Sequence, residues 1–249
     1  MPVATPTINC ACRVNEVSGF FINFAANFES RIFLIMEKIS LDNVLPRVFA
    51  GRDDTHSEVW LRQVCFERGK SYLISAESGT GKSSLCSYIY GFRSDYSGTI
   101  AFDGTDIRPL GVAEWCHLRS RHIAYLPQEL RLFPELTAME NVELCNRLTG
   151  FKSHEAILSL FEALGIPDKV DSPACRLSIG QQQRVAIIRT LCQPCDFILL
   201  DEPVSHLDAD NNAIVARLVT AEARAQGAGI ISTSVGNNVM INVDKQLKL

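Results

Sequence analysis

The sequence predicts an α/β fold around a mostly parallel central sheet, and three observations predict it. Short, unbroken apolar runs recur at Ser71–Ser75, Ile123–Leu126, Phe197–Leu200 and Gly229–Thr233. Continuous rather than alternating apolarity marks strands buried on both faces, as in a parallel sheet covered by helices. The runs are separated by helix-patterned stretches, which supply the crossovers that parallel strands need. Finally, 249 residues with 47% hydrophobic and 21% charged content are enough for a large buried core and exclude wholesale disorder.

In chain order, the first 35 residues stand apart. The aromatic stretch from Phe20 to Phe28 is interrupted by Asn23 and Asn27 and followed by Glu29 and Arg31, so it lacks the apolar block of a secretory signal. Residues 1–35 are therefore expected to be a floppy leader or an artefact of start-codon choice, with the working domain at 36–249. The run Ser71–Ser75 leads into a glycine-rich turn and a helix from about Lys82. Residues 129–176 read instead as a helical insert. Thr137 and Glu140 form a capping box after Pro134. Ser153 opens a helix with Ile157, Leu158, Phe161 and Leu164 on one face, stopped by Gly165 and Pro167.

Charge and cysteines narrow the function classes. A formal net charge of −4 argues against a broad nucleic-acid footprint. No apolar run approaches the roughly 18 residues of a membrane-spanning helix. The 9 cysteines are scattered, in a chain far larger than a disulfide-stapled mini-domain, which favours reduced thiols. Cys192 and Cys195 have the spacing of a zinc or redox half-site, but two small hydrophobes at a helix end explain them better.

The chemistry starts at Gly79, Thr80, Gly81, Lys82, Ser83 and Ser84, between a strand and a helix. Glycines let backbone N–H groups turn toward a phosphate, and the helix N-terminus adds partial positive charge. Lys82 can reach β- and γ-phosphates, and Ser83 can offer a hydroxyl to Mg²⁺. Ala76 stands where that loop pattern wants glycine. The apolar run at Phe197–Leu200 ends in Asp201 and Glu202, two carboxylates at the carboxyl edge of a parallel sheet, where ligands bind. Asp201 would hold magnesium through water, and Glu202 would orient or deprotonate an attacking water. Alone, such a pair reads better as a solvated acidic turn; beside the phosphate loop the site reading wins.

Leu177–Gln181, followed by Gln182, Gln183 and Arg184, resembles the signature motif of ATP-binding-cassette (ABC) ATPases. Ser178 and Gln181 would also serve as an ordinary capping box. Order and company strengthen the resemblance, which spans about residues 36–235. Gln128 falls at the Q-loop position, and Ser205–Asp208 looks like the D-loop. Phe49 sits where the family stacks an aromatic on adenine, although a core phenylalanine would explain it as well. Ser94–Gly104 resembles the family's small antiparallel β-subdomain.

The resemblance implies a P-loop NTPase fold of ABC type that binds and hydrolyses ATP with Mg²⁺. The nucleotide would be held by Phe49, Glu77, Ser78, Gly79, Thr80, Gly81, Lys82, Ser83 and Ser84. Mg²⁺ would be held by Ser83, Gln128 and Asp201. Glu202, Lys82, Gln128 and Ser234 would take part in hydrolysis. Ser178, Gly180 and Gln181 would cap the γ-phosphate of the partner chain's ATP, with Asp208 in the D-loop.

The implied partners are a second ATPase chain, as a homodimer or paired subunit, and an integral permease, with no nucleic acid. The implied place is cytoplasmic, on the inner face of the cytoplasmic membrane. Leu132–Val142 looks closest to the lipoprotein-release, macrolide-exporter and cell-division ATPases. Two departures stand out: Ala76 in the loop predicts weaker binding if that position needs a glycine-only conformation, and Ser234, where the family usually has histidine, predicts slower but real turnover. The other readings are a soluble ABC ATPase acting on DNA or ribosomes and a weakly hydrolysing, nucleotide-regulated subunit.

Overall fold

The structure, a computed structural model, describes residues 35–51, 56–77, 79–236 and 238–249. Residues 1–34 of the expected leader at 1–35, and the expected nucleotide contact Ser78, lie outside these residues. The described strands form two sheets. The central one is parallel throughout, with β6 (Ile123–Leu126), β7 (Phe197–Asp201), β8 (Gly229–Ser234), β3 (Ser71–Ser75) and β9 (Lys245–Lys248) side by side in that order. Every residue of β7 and β8 is buried, which is why these strands read as unbroken apolar runs. On β9, at the sheet edge, only Leu247 is buried.

The second sheet is antiparallel, ordered β2 (Gln63–Glu67), β1 (Lys38–Pro46), β4 (Tyr96–Phe102) and β5 (Thr105–Asp106). Its β1–β4 register shifts between Asp42 and Leu45. Gly98 sits against that irregularity with φ 78°, where an added Cβ would lie 2.2 Å from the Asn43 carbonyl oxygen. Glycine therefore fits there on two counts, backbone conformation and close approach.

Helices α1 (Lys82–Ile89) and α2 (Val112–Arg121) follow β3 and β5. The expected insert contains α3 (Ala138–Asn146) and α4 (His154–Ala163). Thr137 caps α3 through the expected capping box, accepting from the Glu140 N–H while the Glu140 carboxylate accepts from the Thr137 N–H. The insert is tied at its base, where the Ala138 N–H donates to the Ser172 carbonyl and the Ala174 N–H to that of Leu136, both at 2.9 Å.

The expected apolar face of α4 needs one correction. Ile157, Leu160, Phe161 and Leu164 are buried, and Leu158 is only half-buried. An i, i+3, i+4, i+7 series makes one face, whereas Leu158 points about 100° away from Ile157. Helices α5 (Ile179–Leu191) and α6 (Ala209–Gln226) complete the fold, and α5 buries Val185, Ala186, Ile187, Ile188 and Leu191 in the main core. Cys192 caps the end of α5 and is buried with Cys195, and burial pushes both thiols up to about 12. They behave as the small hydrophobes expected, and among the described residues no cluster of three or more metal-ligating side chains forms.

Candidate functional site

The phosphate loop is shaped from both ends. At its mouth the Ala76 N–H donates to the Ser234 carbonyl at 3.2 Å, joining the loop to the end of β8. It then turns through Gly79 (φ 82°) and Gly81 (φ 100°), which caps α1. An added Cβ at Gly81 would lie 3.0 Å from Phe49 Cε2 and 3.1 Å from Trp60 Cζ2, so two aromatic rings brace the turn. The Trp60 indole N–H donates to the Thr80 carbonyl at 3.0 Å, and the Thr80 hydroxyl to that of Glu77 at 2.8 Å. Ala76 lies outside the left-handed region, so its methyl costs the loop no backbone strain.

Lys82 is buried, with Nζ donating to the Glu77 carbonyl at 2.7 Å and lying 4.0 Å from Glu202 Oε1. Burial pushes its ammonium below the usual lysine value, while Glu202 and Asp201 pull it back. Anionic oxygens make stronger hydrogen bonds to such a cation than the neutral loop carbonyls that hold it.

The carboxyl ends of three strands supply the rest. Asp201 closes β7, and burial raises its carboxyl above the usual range against opposing hydrogen bonds from Thr233 and Ser83. The Thr233 hydroxyl donates to Asp201 Oδ1 at 2.7 Å and accepts from the Glu202 N–H at 3.3 Å. Glu202 itself is left-handed, with φ 51°, an uncommon conformation for its type that marks a tightly determined turn. Beyond β6, Gln128 bridges the pocket, with Nε2 donating to Glu202 Oε2 at 3.2 Å and Oε1 accepting from the Ser83 hydroxyl at 3.4 Å. Lys82, Ser83, Gln128, Asp201, Glu202 and Thr233 thus form one network. Ser84 is turned aside, its hydroxyl accepting from Arg93 at 3.0 Å. Phe49 is buried against the loop, and Ser234 is buried at the end of β8.

The signature residues form a second network. Ser178 caps α5, accepting from the Gln181 N–H at 3.3 Å, while Gln181 Oε1 accepts from the Ser178 N–H at 2.9 Å. Asp208 caps α6 by accepting from the Asn211 N–H at 2.8 Å, a bond that holds its carboxyl below the usual range. Arg184 joins the two caps, donating to the Gly180 carbonyl at 3.3 Å and to Asn211 Oδ1 at 3.2 Å.

Sequence reasoning missed the residue linking both networks, Gln183. It is buried, donates to the Pro203 carbonyl at 2.6 Å and accepts from the His206 N–H at 3.1 Å. Three consecutive glutamines at 181–183 span too wide an arc of helix for all to face water, which is the signal that could have found it. Trp60 and Arg189 were missed as well. Arg189 holds the bend after Gln128 by donating to the carbonyls of Leu130 and Arg131.

Comparison with known proteins agrees with this geometry. A family pattern described as ABC transporter matches residues 62–205. YbbA of Escherichia coli K12, described as an uncharacterised ABC transporter ATP-binding protein, is 30% identical over 75% of this chain and 83% of its own length. LolD of Shewanella frigidimarina, the ATP-binding protein of a lipoprotein-releasing system, is 29% identical over 73% of this chain and 79% of its own. The bacterial ABC transporter cassette MJ0796, solved as a dimer, superposes with a TM-score of 0.71 at 26% identity, covering 84% of this chain and 94% of that one. A second MJ0796 structure, a post-hydrolysis state bound to ADP and phosphate, superposes at 0.65 with 25% identity, covering 80% and 88%. In sequence, fold and strand-end chemistry alike, the chain belongs to the ABC transporter family of ATP-binding proteins.

Proposed function

We propose that this ABC ATPase subunit works as one half of a head-to-tail pair, with two ATP molecules clasped between the halves, and that it drives a separate membrane permease. The observation that carries the reading is the division of the site into two networks. Lys82 and the strand-end carboxylates make a phosphate pocket. Ser178, exposed at the N-terminus of α5, bonds among the described residues within its own cap. A helix N-terminus is an anion site, and a mate's γ-phosphate would be its anion. The dimeric MJ0796 cassette supports such a pairing.

In this reading Lys82 moves from the Glu77 carbonyl to the β- and γ-phosphates, and the N–H groups of the loop and of α1 surround them. Ser83 Oγ, Gln128 Oε1 and the Asp201 carboxylate are hard oxygen donors within one hydrogen-bonded group, a set that fits Mg²⁺ shared with phosphate oxygens. When bound, that ion neutralises phosphate charge. Glu202, fixed by its left-handed backbone and by Gln128, accepts the proton of the attacking water.

Among the described residues no helix is long and apolar enough to cross a membrane; in this reading a separate permease does so. Beside Gln128 lies a cleft of about 150 Å³ lined by Tyr90, Phe92, Tyr125, Arg131 and Arg189. Exposed Phe92 in its wall gives short permease helices an apolar landing there. The likeness to LolD supports a lipoprotein-release type of system at the inner face of the cytoplasmic membrane.

The test is steady-state ATP turnover of the partner-bound protein, wild type against Glu202→Gln. Equal rates would show that the activity belongs to a contaminant. Isolating the native complex from membranes should recover an integral permease; recovering ribosomes or DNA instead would overturn the transport reading.

A further inference from the structure

We propose that His206 is a catalytic residue in trans, its imidazole donating a hydrogen bond to the γ-phosphate of the ATP held by the mate's Lys82. The proposal rests on the shared-pocket reading above and adds a residue to it.

Of the five histidines, His117 and His122 are tied together at the amino ends of β6 and β7, where His122 Nδ1 lies 2.6 Å from Asp196 Oδ2. Those are the strand ends remote from the phosphate loop. His206 instead lies in the turn directly after Glu202, at the carboxyl edge. Its backbone is clamped to the signature helix: the N–H donates to Gln183 Oε1 at 3.1 Å, and its carbonyl oxygen is 3.2 Å from the place of a Cβ on Gly180. Whatever position Ser178 and Gly180 take against a mate, His206 therefore travels with them.

The side chain is exposed, and Nδ1 lies 3.0 Å from the Ser205 hydroxyl. When that hydroxyl donates to Nδ1, the proton of the neutral ring sits on Nε2 and is available to a phosphate oxygen. A donor placed where charge develops lowers the barrier to phosphoryl transfer. Within the chain's own pocket, the strand-end position next to Thr233 is the short, buried Ser234, whose hydroxyl reaches less far than an imidazole. A histidine arriving from the mate would supply that longer reach.

The experiment is a covalently linked pair in which chain one carries Lys82→Ala and chain two carries Ser178→Arg. This pair keeps a single intact pocket, built from chain two's Lys82 and chain one's signature. His206→Ala in chain one should lower kcat about 10- to 100-fold with KM for ATP little changed, and far more than the same change in chain two. His206→Gln in chain one, which keeps an N–H donor, should recover much of the loss. Equal falls from either chain, no fall, or a loss that glutamine leaves untouched would overturn the role of His206 while the shared pocket stands. If the parent pair is itself silent, the shared pocket fails, and the trans role of His206 fails with it.

Discussion

Around Lys82 the polar side chains bond across the pocket to one another, whereas Ser178 and Asp208 satisfy their own helix caps and stay exposed. Lys82, Ser83, Gln128, Asp201 and Glu202 come from α1 and from the ends of two strands, yet they form one connected group. Ser178, Gln181 and Asp208 each close a local cap. The first region is preassembled, with its cation held on loop carbonyls. The second is equally ordered: Ser178 takes the Gln181 N–H, and the remaining first-turn N–H groups, which have no partner along a helix, are in the proposed pairing offered to the mate's phosphate. In the proposed pairing one chain carries a pocket and a lid that belong to different sites, and each half can be broken separately.

The largest expected effect falls on the pocket. Glu202→Gln should lower ATP turnover about 10²- to 10⁴-fold while nucleotide binding, followed by fluorescent-analogue titration, is kept. Ser178→Arg should cut turnover about 100-fold with binding to the isolated chain intact; a chain that loses binding as well would mean the signature serves its own pocket.

Gln183→Leu tests the link between the halves. It leaves the buried Pro203 carbonyl without its donor, and denaturant unfolding should show a loss of about 1–3 kcal/mol.

The smallest effect is on pH dependence. Burial raises Asp201 in the folded chain, so its charge costs stability at pH values above that raised value. Asp201→Asn should unfold at higher denaturant concentration at neutral pH. The advantage should shrink as pH falls through the raised value and be gone below about 3.9, where both states are protonated. An advantage constant across that range would contradict the desolvation of Asp201.

What the sequence disclosed followed from locality and symmetry of burial. Strands β7 and β8 are covered on both faces and read as unbroken apolar runs; β1 and β2 alternate buried and exposed positions, and neither was singled out beforehand. The phosphate loop was legible because its residues are contiguous, and the caps at Thr137 and Ser178 because their partners lie three residues on. Trp60 and Gln183 act on residues about twenty positions away, a distance only the fold closes. Ala76 departed from the local pattern, yet its ordinary backbone shows why the loop tolerates it.

The central claim, that ATP joins two copies of this chain through the Lys82 pocket of one and the Ser178 helix of the other, is tested most directly by molar mass in solution. For the Glu202→Gln chain, sedimentation should give the monomer without nucleotide and twice that mass with ATP and Mg²⁺. Adding Ser178→Arg should return it to the monomer while nucleotide remains bound. A mass that stays monomeric at saturating ATP, or a dimer indifferent to Ser178→Arg, would contradict the account.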